Sequence, residues 1–163
     1  MKHVSIQPTS SIRKTIPASV LGTLFLAMAL SAQEPPRAAS HEYQLSAVGC
    51  LRSINMAEAY YAKEYGKGFS PTLAALGVPP AGAKVSPKTA GLLDNSLTGG
   101  TKNNFVFRYT AGAQDADGKI STYTVTARPV KWEEAVKSFF TDQTGAIRET
   151  GQNRPPRASD PAL

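Results

Sequence analysis

The stretch AVGCLRSINMAEAYYAKEY, residues 47–65, decides the fold of this chain. Apolar side chains recur in and around it at three- and four-residue spacing: Ala47, Leu51, Ile54, Ala57, Tyr61 and Tyr65. This spacing is typical of an amphipathic helix that buries one face, and Gly66 follows where a left-handed residue ends a helix. We therefore predict one long helix from His41 to Tyr65. Its exposed face should be polar, because the residues off the stripe are mostly Arg52, Asn55, Glu58 and Lys63.

Beyond residue 104 the apolar pattern changes to the two-residue period of β-strands. The segments 105–109 and 120–127 both alternate in this way, with a turn between them, and so predict a pair of antiparallel strands. A further hairpin is indicated by 139–148, which turns through the sequence DQTG at 142–145. A helix followed by such a meander predicts an α+β domain, with the long N-terminal helix packed on a three- to four-stranded antiparallel sheet.

The beginning of the chain has the organisation of a secretory signal. An uncharged stretch, VLGTLFLAMALSA (Val20–Ala32), follows a leader whose charged residues are all basic: Lys2, Arg13 and Lys14. A bilayer-spanning helix needs about 20 apolar residues, whereas this shorter run ends in small residues like a cleavable signal. We expect a mature protein that begins near Gln33 and works in the periplasm or outside the cell. The alternative is an uncleaved signal that anchors it in the inner membrane.

The remaining sequence predicts one domain between two flexible ends. Residues 33–40 carry Pro35-Pro36 and read as a flexible linker after the signal peptide of residues 1–32. Residues 41–150 hold the periodic segments and form the globular domain. Residues 151–163 are rich in proline and polar side chains, with few apolar residues to bury, which predicts a disordered C-terminal tail.

The charge and the cysteine content argue against a nucleic-acid-binding protein and against a fold held by disulfides within the chain. The formal charge of +6 falls to +3 when the three basic residues of the signal are removed. The remaining Lys and Arg are scattered and form no basic run interleaved with aromatic residues, so we expect no nucleic-acid binding. The single cysteine, Cys50, cannot form a disulfide within the chain, and the fold must depend on its apolar core.

Four segments stand out in their order along the chain: SAVGCLRSIN (46–55), YG (65–66), FSPTLAALG (69–77) and SFFTDQTGAIR (138–148). Together they resemble the globular part of type IV pilin-like proteins, and most of all the major pseudopilins of type II secretion. The resemblance spans residues 46–148. It implies a pilin-like head that serves, without enzymatic activity, as a structural or interaction module of the bacterial cell envelope. Pilus or secretion-system subunits are the partners that it implies.

One feature of that family is missing from this sequence. Pilins and pseudopilins carry, after a short basic leader, the sequence Gly-Phe-Thr-Leu-Xaa-Glu and an apolar helix that builds the filament core. The apolar run Val20–Ala32 contains no such sequence. The resemblance therefore implies a head without the polymerising stalk. It leaves an alternative open, a soluble periplasmic or secreted binding protein that uses a pilin-head fold for an unrelated ligand.

The sequence Asp115-Ala116-Asp117-Gly118 resembles the start of a calcium-binding loop. Some pseudopilins hold calcium near their C-terminal sheet, so the family resemblance implies the same metal here. An EF-hand loop also requires Glu at its twelfth position, where this chain has Thr126. Asp-Gly is equally typical of a hairpin turn. Asp115 and Asp117 are thus calcium candidates, with a plain turn as the alternative, and we expect no other cofactor.

No residue pattern indicates catalysis, and two aromatic residues indicate partner binding instead. His3 lies in the signal and His41 at the start of the helix, so neither is placed to activate a nucleophile. Tyr60 should face outward from the helix, and Trp132 follows the strand that ends near Pro129. Aromatic side chains with a polar tip are common in binding surfaces. We predict Tyr60 and Trp132 as partner-binding residues and no catalytic residue.

Overall fold

The computed structural model describes the backbone of residues 36–163 and the side chains of residues 41–163. The predicted signal peptide, residues 1–32, and the first part of the predicted linker lie outside the described residues. The chain forms one long helix, a 3₁₀ helix, a second short helix and five strands: α1 (Pro36–Tyr65), the 3₁₀ helix (Leu73–Leu76), α2 (Asn95–Thr98), β1 (Thr101–Lys102), β2 (Phe105–Ala111), β3 (Tyr123–Pro129), β4 (Ser138–Asp142) and β5 (Arg148–Thr150).

Helix α1 buries the apolar stripe of the 47–65 segment, and Ala47, Leu51 and Ile54 have no exposed surface. The helix begins at Pro36, whose fixed φ suits a first turn, so residues 36–40 are helical where a flexible linker was predicted. It ends at Tyr65 and is followed by Gly66, which has a φ of 65°. Within residues 36–163, no helix combines the length and the apolar character that crossing a bilayer requires.

The outward side of α1 differs from the polar face that the sequence predicts. Leu45, Met56 and Tyr60 are largely exposed on it, while Glu58 is fully buried and Asn55 is half-buried. The hydropathy pattern could not show this exchange, because it assigns every carboxylate to solvent. Glu58 is buried since the chain supplies hydrogen-bond donors to it, which makes such burial tolerable.

The sheet is a meander of five antiparallel strands in the order β1-β2-β3-β4-β5, which confirms the predicted α+β class and adds to the predicted three or four strands. The additional strands are the short edges β1 and β5. Strand β1 joins β2 through Asn103-Asn104, whose φ angles of 50° and 62° are those of a tight hairpin turn. So short a strand carries no periodic signal in the sequence.

The register of the strands gives the sheet two distinct faces. Ala127 of β3 lies opposite both Phe107 of β2 and Phe139 of β4. These side chains and Phe105 are buried against the apolar side chains that α1 turns toward the sheet. We call this side of the sheet the inner face. The alternate residues of β2 and β3, including Arg108 and Arg128, are on the other side, the outer face.

Residues 151–163 pack against β5, which corrects the prediction of a disordered tail. The amide of Glu149 donates to the carbonyl of Pro161 at 2.9 Å, and the amide of Leu163 donates to the carbonyl of Ile147 at 2.9 Å. The segment therefore continues the sheet beyond its last strand. A composition argument missed this, because it counts apolar residues and ignores the backbone groups that an edge strand offers.

An ion pair fixes the middle of this C-terminal segment. The guanidinium of Arg154 binds the carboxylate of Asp160, which is only 5% exposed and also accepts a hydrogen bond from the amide of Arg157 at 2.9 Å. The hydrogen bond from Arg154 lowers the pKa of Asp160 to about 2. Arg128 donates to the side-chain oxygen of Asn153 at 3.2 Å, and this bond holds the segment against the outer face.

Candidate functional site

Tyr60 lies where the sequence predicts it, on the outward side of α1, and 54% of its side chain is exposed. It borders a cavity of about 480 Å³ between α1 and the segment that carries α2. We call this cavity the α1 groove; its lining includes Cys50, Met56, Tyr60, Leu93, Leu97 and Lys102. Most of these side chains are apolar, so the groove favours an apolar occupant.

The apolar surface continues along the helix beyond the groove. Leu45 and Met56 are 61% and 74% exposed, and they are eleven positions apart, which is about three helical turns. Tyr60 follows one turn later, so the three side chains lie along one side of α1. We call them the α1 stripe. Single exposed apolar residues are ordinary, but a stripe beside an apolar groove is typical of an interaction surface.

The polar rim of the α1 groove is held by Asp94. Its carboxylate caps α2 by accepting the amides of Ser96 and Leu97, each at 3.1 Å, and forms an ion pair with Lys102 at 2.6 Å. The hydrogen bond from Lys102 holds the pKa of Asp94 well below its usual range. These contacts fix one wall of the groove and leave little freedom for Asp94 to act as a proton carrier.

Cys50 lines the same groove without the properties of a reactive thiol. Its side chain is buried, and burial raises the pKa of the thiol above its ordinary value. The thiolate is the nucleophilic form, and desolvation disfavours it here. Cys50 therefore acts as a small apolar core residue.

Trp132, the other predicted partner-binding residue, lies in a different cavity. This second cavity, the outer groove, has a volume of about 240 Å³, and its lining includes Val106, Arg108, Arg128, Pro129, Val130 and Trp132. The strand register places Arg108 and Arg128 on the outer face, since Val106 pairs with Arg128 and Arg108 with Thr126. The structure thus separates Tyr60 from Trp132 instead of bringing them together in one site.

The outer groove contains hydrogen-bond donors without acceptors. Among the described residues, three buried side-chain atoms have no hydrogen-bond partner: Nε of Arg128, Nε1 of Trp132 and Oγ of Ser138. The first two belong to residues that line the outer groove. Buried polar groups in folded proteins are nearly always paired, so these two donors mark a place where hydrogen bonding within the described chain is incomplete.

A buried polar cluster lies on the opposite side of the sheet, beneath α1. Both carboxylate oxygens of Glu58 accept hydrogen bonds from Ser70, from its amide at 2.8 Å and from its hydroxyl at 2.6 Å. The hydroxyl of Tyr109 donates to the carbonyl of Ser70 at 2.8 Å. Burial raises the pKa of Glu58, although the bonds from Ser70 partly oppose this, and burial also raises the pKa of Tyr109.

The same polar layer continues around Asn55. The side-chain oxygen of Asn55 accepts a bond from the hydroxyl of Tyr123 at 2.9 Å, and its nitrogen donates to the hydroxyl of Thr141 at 2.9 Å. Helix α1 is thus hydrogen-bonded to β3 and β4 as well as packed on them. Sequence reasoning missed Asn55 and Glu58. Their three-residue spacing beside the buried stripe was the one available signal, and it does not identify their partners.

The arrangement of Ser70 and Glu58 superficially resembles a nucleophile beside a base. Ser70 and Glu58 are both fully buried, however, and a substrate has no access to the hydroxyl. The carboxylate uses its two oxygens to hold the backbone of the 66–72 segment against α1. The pair is suited to stabilising the fold.

The calcium candidates form a turn at the tip of the β2–β3 connection. The carboxylate of Asp115 accepts the amides of Asp117 and Lys119 at 3.0 Å and 2.8 Å, which closes the turn around Gly118. In the part of the chain that the structure describes, no three His, Cys, Asp or Glu side chains gather into a metal-binding group. The structure gives Asp115 a turn-forming role and brings no third carboxylate to it.

No family model, curated protein sequence or solved structure matches this chain.

Proposed function

We propose that this protein is a non-enzymatic, exported, pilin-like module of the bacterial cell envelope that binds pilus or type II secretion subunits through helix α1. The α1 stripe beside the α1 groove is the observation that carries the proposal. Its three side chains are each more than half exposed. A partner helix or loop that covers them would remove apolar surface from water, which is the main driving force of association.

The order of the elements supports the pilin-like part of the proposal. A long helix comes first and lies on the inner face, and an antiparallel meander follows. This is the order that the resemblance implies for a pilin-like head. In the proposal the module functions in the periplasm or outside the cell after removal of the signal. An uncleaved signal in the inner membrane is the alternative.

The absence of enzymatic activity is part of the proposal and has its own support. The Ser70 hydroxyl is buried, burial raises the pKa of the Cys50 thiol, and His41 is exposed at the N-terminal part of α1. Of these groups only Cys50 lines an open cavity, and the carboxylate there, Asp94, is already bound by Lys102 and by the amides of Ser96 and Leu97. A binding role uses the accessible surfaces of the molecule, whereas these groups are either covered or isolated.

Site-directed photo-crosslinking in the native cells tests the proposal. A photo-reactive amino acid replaces Met56 in one variant and Ala116, at the exposed tip of the β2–β3 connection, in the control. We expect Met56 to give a discrete adduct that mass spectrometry identifies as a pilus or secretion subunit, and Ala116 to give none. Equal labelling from both positions, or a free monomer without any adduct from Met56, would contradict the proposal.

A soluble binding protein is the second candidate, and the outer groove favours it. A cavity lined by two arginines on the face opposite α1 suits a ligand that needs no filament. Cell fractionation separates the candidates. Recovery with sheared filaments or with secretion complexes supports the first, and recovery as a free periplasmic or secreted monomer supports the second.

A further inference from the structure

We propose that the outer groove binds an acidic side chain of a partner polypeptide, with the two arginines holding the carboxylate and Trp132 covering an apolar neighbour. The inference concerns the face of the sheet opposite the α1 stripe. It therefore goes beyond the proposed function, and either proposal can fail while the other holds.

Two arginines of the outer face line the same groove. The pairs Val106–Arg128 and Arg108–Thr126 place Arg108 and Arg128 diagonally across β2 and β3, on the same face. Side chains in such diagonal positions are within reach of each other when they are long, and like charges there repel. The groove thus concentrates positive charge at one place.

No carboxylate of the described residues neutralises this pair. The ion pairs among the described residues involve Lys102, Lys131, Lys137 and Arg154. Neither Arg108 nor Arg128 takes part in one. Glu133 is close in sequence but pairs with Lys131 at 3.6 Å. Arg128 has a neutral partner, the side-chain oxygen of Asn153. The planar guanidinium suits two-point binding of a carboxylate, and both arginines keep donors for it.

The exposed guanidinium of Arg108 is the donor group that a carboxylate in the groove reaches directly. A carboxylate has two oxygens and about four acceptor positions, so it can also accept from Arg128 across the strand pair. Nε of Arg128 and Nε1 of Trp132 are buried and without an acceptor among the described residues, so they would join the site only if their side chains turn on binding. The proposal therefore depends on the charge of the two arginines.

The size and lining of the cavity favour a polypeptide over a free small molecule. Its volume of about 240 Å³ lies below the range of roughly 300–1,000 Å³ that is usual for sites enclosing a small ligand. One side chain fits this space while the rest of its chain stays outside. Val106, Pro129 and Val130 give the groove apolar walls. We infer an acidic residue next to an apolar one as the recognised feature.

Trp132 supplies a specific readout, because it is the one tryptophan of the sequence. The full chain is titrated with a capped hexapeptide, Gly-Leu-Glu-Leu-Glu-Gly, and with the same peptide carrying Gln for Glu, while tryptophan emission is recorded. We expect a saturable change with the Glu peptide and binding about tenfold weaker with the Gln peptide, the loss that follows from removing a charge-assisted bond. Absence of a response to the Glu peptide at millimolar concentration overturns the proposal.

Substitutions locate the response in the groove. Arg128→Gln and Arg108→Gln should each weaken binding about tenfold. Arg108 is exposed and forms no ion pair with the described residues, so its variant keeps the proposal testable if Arg128→Gln unfolds. Lys131→Gln removes an equal charge next to Trp132 but outside the lining, and it should leave binding unchanged. An equal loss in Lys131→Gln contradicts the proposal, because it indicates general electrostatic attraction.

The last part of the experiment measures the binding of two small anions by the same tryptophan emission. Glutarate and inorganic phosphate carry the charge without the flanking leucines, and we expect each to bind at least about tenfold more weakly than the Glu peptide, since neither buries apolar surface on the groove walls. Equal binding of glutarate or phosphate overturns the peptide proposal and identifies a small-anion site instead.

Discussion

The two faces of the sheet differ in whether their buried polar groups have hydrogen-bond partners. On the inner face, Glu58, Ser70 and Asn55 all have hydrogen-bond partners at 2.6–2.9 Å beneath α1. On the outer face, Arg128 and Trp132 hold buried donors that no described residue accepts. Hydrogen bonds that are complete within the fold stabilise it, whereas unpaired buried donors cost free energy. The inner face therefore contributes its polar groups to stability, and the outer face does not.

The largest effect should come from the apolar part of the inner face. Phe139 is 2% exposed, and its ring lies 6.0 Å from that of Phe105. Phe139→Ala should lower the free energy of unfolding by about 3–5 kcal/mol, because it removes buried area and leaves a cavity. Urea denaturation measures this. Val130→Ala, at the outer groove and 62% exposed, is the matched control and should stay within about 0.5 kcal/mol of the parent.

If Val130→Ala were as damaging as Phe139→Ala, the outer face would hold core structure that its exposure does not indicate. The assignment of stability to the inner face would then fail.

A second, smaller effect concerns the buried polar cluster. Glu58→Ala removes the acceptor of the Ser70 amide and hydroxyl; the buried amide loses its partner, and the hydroxyl keeps only the carbonyl of Thr72 at 3.0 Å and a longer contact to Tyr109. We expect the free energy of unfolding to fall by about 2 kcal/mol, the usual cost of one unpaired buried group together with a lost hydrogen bond. Thermal and urea unfolding measure the loss. Glu64→Ala, on the exposed side of the same helix, should change it by less than about 0.5 kcal/mol.

An equal, small change in both carboxylate variants would show that the cluster contributes nothing to stability. The inner and outer faces would then not differ in the way proposed.

The predictability of this fold from sequence follows the same division. The periodic patterns of 47–65 and 105–127 identified the class, since apolar spacing reports on which side of an element is covered. The partner of Glu58 is Ser70, twelve positions along and in a separate segment, so no local pattern could reveal it. Arg108 and Arg128 are placed on the same face by the register of β2 and β3, which the sequence leaves unspecified.

The pH dependence of stability offers a third test of the inner face. Burial raises the pKa of Glu58 above its ordinary value of 4.5, so the folded state holds a proton that the unfolded state has released. The stability from this group is complete below pH 4.5 and is lost as the pH rises through the folded-state pKa. Within that window the free energy of unfolding should fall by up to about 1.4 kcal/mol per pH unit.

Glu58→Gln should remove this slope, because an amide keeps the shape and does not titrate. Urea unfolding of the parent and the variant at several pH values from 4 upward measures the difference between them. The raised pKa would be refuted by parallel pH profiles, since the slope would then belong to other groups.

The smallest expected change in the free energy of unfolding comes from removing a single hydrogen-bond donor. One variant removes a donor from the inner face, and a second removes a donor from the outer face. Tyr123→Phe deletes a hydroxyl that donates to Asn55 at 2.9 Å, and it leaves the oxygen of Asn55 without that bond. We expect a loss of about 1 kcal/mol in the free energy of unfolding.

Trp132→Phe deletes an N–H that has no acceptor among the described residues. Replacing a half-buried ring by a somewhat smaller one costs some packing, but removing an unpaired buried donor relieves a desolvation penalty of similar size. The net change should lie near zero, and circular dichroism follows it without the tryptophan. A loss in Trp132→Phe larger than that in Tyr123→Phe would mean that the indole N–H has a partner in the folded protein, such as an ordered water, and that the outer groove is already satisfied.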